Sequence, residues 1–510
     1  MSVVRSSLIC QFFLSVWAAL VGAWEGSRVG RALRSFVSWV VKAVRSSGVC
    51  RFLWREGAIP ASWKGSLTST ALIVLLNLPA TICKAIYRAG KKVLDGSWVF
   101  RAVVWVCSKP FFLLGACVAV MLMVPHARWN NLYGLYMAVA VTALFWLGTA
   151  NRPKARLEPD ELSPYYILFM AGILYAFLGS LDWGLSVRFV GFHLAAFLLC
   201  LLAVSAVNRY EQLELCCVLA VAGLTVAALY GCYQGVTGVE VVANQQDLSV
   251  NAGMPGRVYS FFDNPNNFAE LLVMLTPLTY ALFLNARTLR GKLFAMGSFA
   301  ICAVALGFTY SRSGWLGITL ATVVFIAFWN WKIIPLFVVL GILVLPLLPE
   351  TIYHRILTIG NTKDTSTSYR FAIYKASGVL MRDYWYRGVG LGSDILKQTF
   401  KGYPPMFDGN WPIHTHNNYL QMWAETGIFG AIAFVATLLY QLKEGAKAVV
   451  GCRDKRLRNL LAAALAGFCG IVLISVAEYT WFYARNMFVY FFLFGLIAAG
   501  IKLSRQSNQG

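Results

Sequence analysis

Two histidines stand at the end of a polar stretch, in the sequence WPIHTHNNYLQMWAETGIFG (residues 411–430). His416 and Asn417 are followed by nine residues and then by Gly427 and Gly430, so His416 lies near the start of a helical stretch that enters an apolar segment. Imidazole titrates at about pH 6.5 and can take a proton from a hydroxyl group. The pattern favours His416 as a general base, with Asn417 beside it.

Two other interpretations of the histidines stay open. His414 and His416 are two residues apart and share one face if the chain is extended, which would suit a metal site. No nearby cysteine or closely spaced carboxylate completes such a site, so we expect no metal. The remaining alternative is a histidine that is exposed to solvent or caps a helix.

Arginines occur at two other places in otherwise apolar surroundings. The sequence GRVYSFFDNPNNFAELL (256–272) places Arg257 before a predicted helix, and TYSRSGWLG (309–317) places Arg312 in a tight turn between two apolar segments. An arginine in front of a helix N-terminus can join backbone N–H groups in binding an anion. Because charged groups at membrane depth are costly, both side chains are candidates for function. Snorkelling of Arg312 to the membrane interface is the alternative.

The residues after Arg257 predict the start of a helix. The pair Asn264-Pro265 predicts a turn. Asn267 is then expected to cap the helix, with Glu270 as its capping-box partner three residues later. These residues are interpreted as structural support for Arg257.

The polar segment before the histidines predicts a further helix. In STSYRFAIYKASGVLMRDYWYRGVGLGSD (366–394), apolar residues recur at helical spacing from Tyr369 to Leu380, with Ser368 as a possible cap. Arg370 lies at the N-terminal end of this helix. It is a further candidate for contact with an anion.

The composition of the chain indicates a membrane protein that crosses the bilayer many times. Of the 510 residues, 58% are hydrophobic and 13% are charged, and the mean hydropathy is +0.63, which excludes an ordinary soluble enzyme. Since about 20 apolar residues cross a bilayer as a helix, and the runs are continuous rather than alternating, we predict an all-α fold with about twelve transmembrane helices. The predicted segments are 103–125, 130–150, 164–181, 185–206, 213–238, 267–285, 292–310, 313–330, 333–349, 427–442, 459–477 and 485–502.

The distribution of basic residues predicts the orientation of these helices. Cytoplasmic loops retain Lys and Arg, and every second connection in this chain is basic, whereas the other short connections carry few basic residues. The segment 350–426 is too long for its own basic residues to bear on the orientation. Both termini are therefore predicted to be cytoplasmic, and residues 350–426 form a large extracytoplasmic loop that contains helices. The basic connections carry Arg152, Lys154, Arg156, Arg287, Arg290, Lys292, Lys443, Lys447, Arg453, Lys455, Arg456 and Arg458.

The first 101 residues differ from the rest and predict a separate region. They carry 14 of the 44 Lys and Arg residues but only three acidic residues, and tryptophans are interleaved with the arginines. Basic amphipathic segments with tryptophan lie among the headgroups of anionic lipids, and the apolar content argues against a nucleic-acid arm. We predict a basic amphipathic region (1–101) at the cytoplasmic membrane surface and a transmembrane domain (102–510). Within the region, 6–24 is expected to be uncleaved and 67–83 interfacial rather than half of a hairpin.

Taken together, the motifs at 256–272, 311–317, 368–394 and 416–430 resemble those of the O-antigen ligase family, the WaaL-like, Wzy_C-type membrane glycosyltransferases. The strongest element is His-Asn followed by nine residues and Gly-x-x-Gly in this position of the topology. The resemblance covers roughly 100–505. The basic N-terminal region is an addition to the family pattern.

The resemblance implies a GT-C-like fold and a function. The family transfers a glycan from a polyprenyl-diphosphate-linked donor to an acceptor hydroxyl on a glycolipid, glycan or protein, at the extracytoplasmic side of the bacterial inner membrane. By this resemblance His416 is the general base, Arg257 and Arg312 bind the donor diphosphate, and Arg370 has a looser match. Asn264, Asn267, Asn417 and His414 are expected to support them. No metal or other cofactor is expected, and a single backside attack would invert the anomeric centre.

Two other functions stay open from the sequence. A repeat-unit polymerase shares the donor chemistry and differs only in its acceptor, which would be another lipid-linked repeat. A transporter of lipid-linked glycans would also suit twelve helices. Transporters often contain two related halves, and no such repeat is visible between 103–240 and 267–505.

Overall fold

The apolar runs fold as helices, and their bounds follow the predicted segments closely. The computed structural model describes residues 54–241, 255–359 and 365–509, with parts of the segment from 11 to 51. Every regular element in these residues is helical, which confirms the all-α prediction. Residues 1–57 with 326–349 form one compact unit, and 58–325 with 350–510 form a second, larger one. The predicted domain boundary at residue 101 stays a prediction.

The helices are numbered α1 to α22 in chain order within the described residues. They are α1 (Arg28–Ser46), α2 (Ala58–Trp63), α3 (Leu67–Leu76), α4 (Leu78–Ala89), α5 (Lys91–Gly96), α6 (Trp98–Cys107), α7 (Pro110–Met123), α8 (Leu132–Gly148), α9 (Pro164–Leu178), α10 (Trp183–Ala206), α11 (Tyr210–Thr237), α12 (Pro265–Leu275), α13 (Leu278–Asn285), α14 (Leu289–Phe308), α15 (Arg312–Asn330), α16 (Ile334–Val344), α17 (Glu350–Leu357), α18 (Thr365–Tyr384), α19 (Ser393–Phe400), α20 (Asn418–Gly451), α21 (Lys455–Ile474) and α22 (Ala484–Gln509).

Many of these helices have the length and composition of membrane spans. In the described residues, eight helical stretches are long and apolar enough to cross a bilayer, and ten if each of two bent pairs counts as one span. The bent pairs are α3 with α4, at an angle of 52°, and α6 with α7, at 62°. In the second pair Pro110 begins α7, and proline cannot continue the hydrogen-bond ladder of the preceding helix. The chain is therefore built as a multi-pass membrane protein.

Some segments differ from the predicted pattern. The predicted eighth and ninth segments form one helical stretch, Arg312–Leu347, with a 3-10 turn at Trp331–Ile333. The stretch 67–83 lies in the bent pair α3 and α4, which together are long and apolar enough to span a bilayer. The number of twelve crossings and the interfacial position of 67–83 stay predictions.

The loops separate into two groups at opposite ends of the larger unit. At one end, Arg505 contacts Glu161 and Glu444 at 3.6 and 3.7 Å, and the Asn285 side chain donates to the carbonyl of Arg456 at 2.8 Å. The connections predicted to be cytoplasmic therefore meet here.

The other end gathers the connections predicted to be extracytoplasmic. Arg485 donates to the carbonyl of Val124 at 2.8 Å, and the amide of Leu181 donates to the carbonyl of Val389 at 3.1 Å. The alternation predicted from Lys and Arg agrees with this grouping of loops.

A separate hydrophobic core supports the long loop before α20. Leu380 of α18, Leu396 and Phe400 of α19, and Ala424 of α20 are buried together in it. Because the core joins both loop helices to the first turns of α20, the loop has a fixed position above the transmembrane helices.

Helix α20 is interrupted at Gly427. This residue has φ 69° and ψ −177°, and the next amide, that of Ile428, donates to the carbonyl of Trp385 at 2.9 Å instead of continuing the ladder. A Cβ atom on Gly427 would lie 2.1 Å from the carbonyl oxygen of Tyr386. The first glycine of the Gly-x-x-Gly motif is thus required both by its backbone angle and by the close approach of the loop.

Two predicted helix caps are wrong. Asn264, not Asn267, caps α12, and its side chain accepts from the amide of Asn266 at 2.8 Å, because Pro265 occupies the first helical position. Glu270 does not form a capping box, since its carboxylate accepts from the Asn486 side chain at 2.6 Å.

The second correction concerns α18. This helix begins at Thr365, three residues before Ser368, so Ser368 lies inside the helix and is not its cap.

We expect Gly427→Ala to lower the stability of the protein by about 2 kcal/mol or more, because alanine rarely adopts positive φ and its Cβ would collide with the Tyr386 carbonyl. Thermal unfolding of the purified protein in detergent measures this loss. Gly378→Ala is the matched control, since a Cβ at Gly378 within α18 meets no atom within 4 Å. A Gly427→Ala variant as stable as Gly378→Ala would contradict the role of the break.

Candidate functional site

His416 lies immediately before α20 in a backbone conformation that few residues adopt. Its φ is 49°, a left-handed conformation that costs roughly 1–2 kcal/mol for a residue with a side chain. Asn417 caps α20, and its side-chain oxygen accepts from the amides of Tyr419 and Leu420 at 2.8 and 3.0 Å. His416 therefore lies directly before the capped start of α20, which agrees with its predicted place near the start of a helix.

His414 holds the backbone of His416. The amide of His416 donates to Nδ1 of His414 at 3.2 Å, and the two ring centroids are 4.1 Å apart. Burial, with a smaller contribution from His416, lowers the pKa of His414 to about 3. His414 is therefore neutral near pH 7, and its Nδ1 is occupied as an acceptor, which suits it to positioning His416 rather than to accepting a proton.

A buried carboxylate, Glu478, lies at the centre of the site. It is only 6% exposed and accepts from Arg370 Nη2 at 2.5 Å and from Asn266 Nδ2 at 3.2 Å. Its second oxygen lies 3.4 Å from Nδ1 of His416, at the long end of hydrogen-bonding distance. Burial by itself would raise the pKa of Glu478, but Arg370 and His416 outweigh burial and lower this pKa to about 2.

The contact with Glu478 determines what the imidazole can do. When His416 is neutral and carries its proton on Nδ1, it donates to Glu478, and Nε2 is left with a lone pair. The carboxylate also stabilises the imidazolium that would form after Nε2 takes a proton. This arrangement suits a general base with its positioning carboxylate.

Arg257 enters the same network from the connection before α12. Its Nε donates to the carbonyl of Thr309 at 2.8 Å, and its Nη2 donates to the side-chain oxygen of Asn266 at 2.6 Å. The same Asn266 donates to Glu478 through its amide group. Asn266 therefore bridges Arg257 and Glu478.

Arg312 and Arg355 extend the positive charge of the site. Arg312 begins α15 and donates to the carbonyl of Thr358 at 3.1 Å. Burial, together with the charges of Arg355, Arg312 and Arg370, lowers the pKa of Arg257 to about 9, against the opposing effect of Glu478. Three other guanidinium groups and one carboxylate therefore act on Arg257.

A tyrosine connects the loop helix to the histidine. The Tyr374 hydroxyl of α18 lies 3.3 Å from the carbonyl of His416 and 3.4 Å from that of Val476. The Asn417 side chain donates to the same Val476 carbonyl at 2.8 Å. These contacts join α18, the start of α20 and the connection between α21 and α22.

The structure brings together the four residues for which the sequence predicted chemistry. Arg370 and His416 contact Glu478, Arg257 is joined to it through Asn266, and the charge of Arg312 acts on Arg257. Of the supporting residues, Asn264, Asn417 and His414 shape the backbone around them, whereas the Asn267 side chain is buried in α12 and is not a cap. The roles of these residues in catalysis stay predictions.

Sequence reasoning missed Glu478, Asn266 and Arg355. Glu478 lies in the connection between the last two predicted segments, and a carboxylate at the predicted extracytoplasmic end of a span was a usable signal. Asn266 and Arg355 gave no comparable signal, because their importance comes from neighbours distant in the sequence. Within the described residues, no group of three or more His, Cys, Asp or Glu side chains is arranged to hold a metal ion.

Comparison with known families supports the resemblance seen in the sequence. Residues 297–435 match the Wzy_C family, described as O-antigen ligase. The match supports an O-antigen ligase family assignment. No curated protein matches the chain.

The family match and the geometry complement each other. The part that matches the O-antigen ligase family contains Arg312, Arg370 and His416, whereas Arg257 and Glu478 lie outside it. Contacts in the structure join these two residues to the matched part. The match, together with the apolar helices, indicates a multi-pass protein of the bacterial inner membrane with O-antigen ligase activity or the related polymerase activity.

We expect Glu478→Gln to change how stability depends on pH. Because the folded-state pKa of Glu478 is below its ordinary value, its charge stabilises the protein above about pH 5, and this contribution is lost as the pH falls towards about 2. The variant should be less stable than the parent at pH 7 by on the order of 2 kcal/mol. The difference should shrink as the pH falls from 5 to 3.

Thermal unfolding of both proteins across this pH range measures the difference. Glu350→Gln is the control, because the side chain of Glu350 is 87% exposed. A constant gap between the parent and Glu478→Gln at all pH values would show that the carboxylate contributes by packing rather than by charge.

Proposed function

We propose that the protein is a glycosyltransferase that moves a glycan from a polyprenyl-diphosphate-linked donor to an acceptor hydroxyl group. The observation that carries the proposal is one network that joins Arg370, Asn266 and Arg257 to the Glu478–His416 pair, with the charges of Arg312 and Arg355 acting on Arg257. A guanidinium group can donate two parallel hydrogen bonds to the oxygens of one phosphate, so a group of arginines beside a base suits a diphosphate-linked donor. The family match over 297–435 supports the same chemistry.

The reaction follows from the positions of the imidazole and the arginines. The acceptor oxygen attacks the anomeric carbon of the glycan while its proton passes to Nε2 of His416. The bond between the anomeric carbon and the diphosphate oxygen breaks, and the electron pair leaves with the lipid diphosphate. Arg257 and Arg312 meet the negative charge that grows on the leaving group, and fixed cations of this kind are a major source of rate enhancement. Attack from the side opposite the leaving group inverts the anomeric centre.

The reaction is proposed to occur at the extracytoplasmic side of the inner membrane, in a GT-C-like fold of about twelve spans. The support comes from charge, because the basic connections meet at the end of the helices opposite the site. No metal is proposed to take part, because the arginines can neutralise the diphosphate. Anionic lipids are proposed to bind the basic N-terminal region, whose residues are only partly described.

Mass spectrometry of surface glycans distinguishes ligase from polymerase. We propose a ligase, so a strain without the gene should keep its lipid-linked polymer at normal length but lack the polymer on the final acceptor. Restoring the gene should return the polymer to that acceptor. Shortened polymer on an unchanged acceptor would assign a repeat-unit polymerase, and loss of export without loss of a covalent step would assign a transporter.

We expect His416→Ala to reduce transfer by about 100-fold to 10,000-fold, the contribution of a positioned base. The variant should be made in normal amounts in the membrane. Transfer of labelled glycan to acceptor by purified protein measures the loss. His354→Ala is the control, since the side chain of His354 is 66% exposed on α17. Transfer by His416→Ala within a few-fold of that control would refute the base assignment.

We expect Arg312→Lys to lower transfer by about tenfold or more, because an ammonium group cannot donate two parallel hydrogen bonds to a diphosphate. Arg290→Lys, an exposed residue at the start of α14, should keep parent activity. The dependence of the rate on donor concentration separates binding from chemistry. Equal activity of the two lysine variants would reject diphosphate binding by Arg312.

A further inference from the structure

A cavity of about 340 Å³ opens beside the histidine pair. His414 and His416 line it, but Glu478 and the four arginines do not. Its walls come from α18, from the end of α19 with Lys401, and from the extended segment 410–414. His416 therefore borders this cavity and also contacts Glu478, the partner of Arg370.

Two aromatic side chains give the cavity rigid apolar surfaces. Trp411 donates its indole N–H to the carbonyl of Tyr403 at 2.8 Å and packs against the hydrophobic core of the loop. Tyr369, on the α18 wall, packs edge to face with Phe407 at a centroid distance of 6.2 Å. Aromatic rings held in this way present a flat apolar face, which suits the C–H face of a sugar ring.

Two lysines supply positive charge at the same cavity. Lys397 and Lys401 are four residues apart, so they lie on one side of α19, and both are exposed. Neither pairs with a carboxylate within the part of the chain that the structure describes. Asp408, which contacts the aromatic wall, accepts from Asn410 at 2.9 Å and from Tyr369. Like charges at this spacing repel each other unless an anion lies between them.

We infer that this cavity binds the acceptor, and that the acceptor is a carbohydrate bearing an anionic group. The sugar packs on Trp411 and Tyr369, and its phosphate or carboxylate lies at Lys397 and Lys401. A hydroxyl of the same saccharide then lies at His416, which forms part of the cavity wall. The assignment to the acceptor rather than the donor rests on the proposed transferase function, because the base must contact the attacking hydroxyl while the diphosphate occupies the arginine side.

Binding is tested without any transfer reaction. Saturation-transfer NMR on the full chain in nanodiscs of neutral phosphatidylcholine uses glucose, glucose 6-phosphate and glucuronate as probes. The anionic sugars should bind about tenfold more tightly than glucose, the effect of two exposed ion contacts, and added salt should reduce the difference. Selective binding of glucose 6-phosphate alone, or of glucuronate alone, supports the inference and names the anion.

Two variants and a control locate the binding. The double variant Lys397→Gln with Lys401→Gln should bind both anionic sugars only as weakly as glucose. Trp411→Ala should lower the affinity for all three sugars. Lys375→Gln is the control, since Lys375 is an exposed lysine of α18 that does not line the cavity. Equal binding of the three sugars, loss of binding in Lys375→Gln, or competition by inorganic phosphate as strong as by glucose 6-phosphate would overturn the inference.

A transfer assay tests the role of the bound sugar. The double lysine variant should raise the KM for acceptor about tenfold and leave the KM for donor unchanged. A rise in the donor KM alone would show that the cavity holds the donor glycan and would overturn the assignment. The proposed transferase function and the proposed acceptor site can fail separately. Arg312→Lys should lose transfer but still bind the anionic sugars. The double lysine variant should lose binding of the anionic sugars but still bind the donor.

Discussion

The organisation of the site depends on one buried carboxylate. Glu478 is almost removed from solvent, and a lone charge in that position would be unstable. It stays charged because Arg370 of α18, Asn266 of α12 and His416 before α20 surround it. One carboxylate therefore fixes the relative positions of a cation, an amide and an imidazole that the chain supplies from distant positions. Removal of its charge would leave several like-charged groups facing one another.

The site provides two different sets of cations, one proposed for the donor diphosphate and one for the acceptor. Arginines belong to the network around Glu478 and Arg257, and an aromatic cavity with lysines borders His416. Guanidinium groups suit diphosphate oxygens because their donors form a planar fork, whereas ammonium groups at an open rim attract an anion without fixing its orientation. The choice of cation in each set thus matches a tightly oriented leaving group and a more variable partner.

Much of this organisation could be predicted from the sequence, because the signals are local. Apolar runs identified the helices, alternating basic loops grouped the connections, and Arg257, Arg312, Arg370 and His416 stood out as polar groups in apolar surroundings. The predicted ends of two helices were wrong. In α12, Pro265 occupies the first helical position, which makes Asn264 and not Asn267 the cap. In α18, the helix already begins at Thr365, three residues before Ser368.

The remaining features are tertiary and had no local signature. The bridge through Asn266, the charge of Arg355 near Arg257, and the partners of Glu478 depend on residues far apart in the chain.

The break in α20 at Gly427 has a mechanical consequence. The amide that leaves the ladder, that of Ile428, donates to the carbonyl of Trp385, while the carbonyl of Ala424 above the break accepts from the amide of Val389. The loop therefore spans the gap and splints the two parts of α20, so a tilt of the lower part in a thinner or thicker bilayer would also move the loop helices.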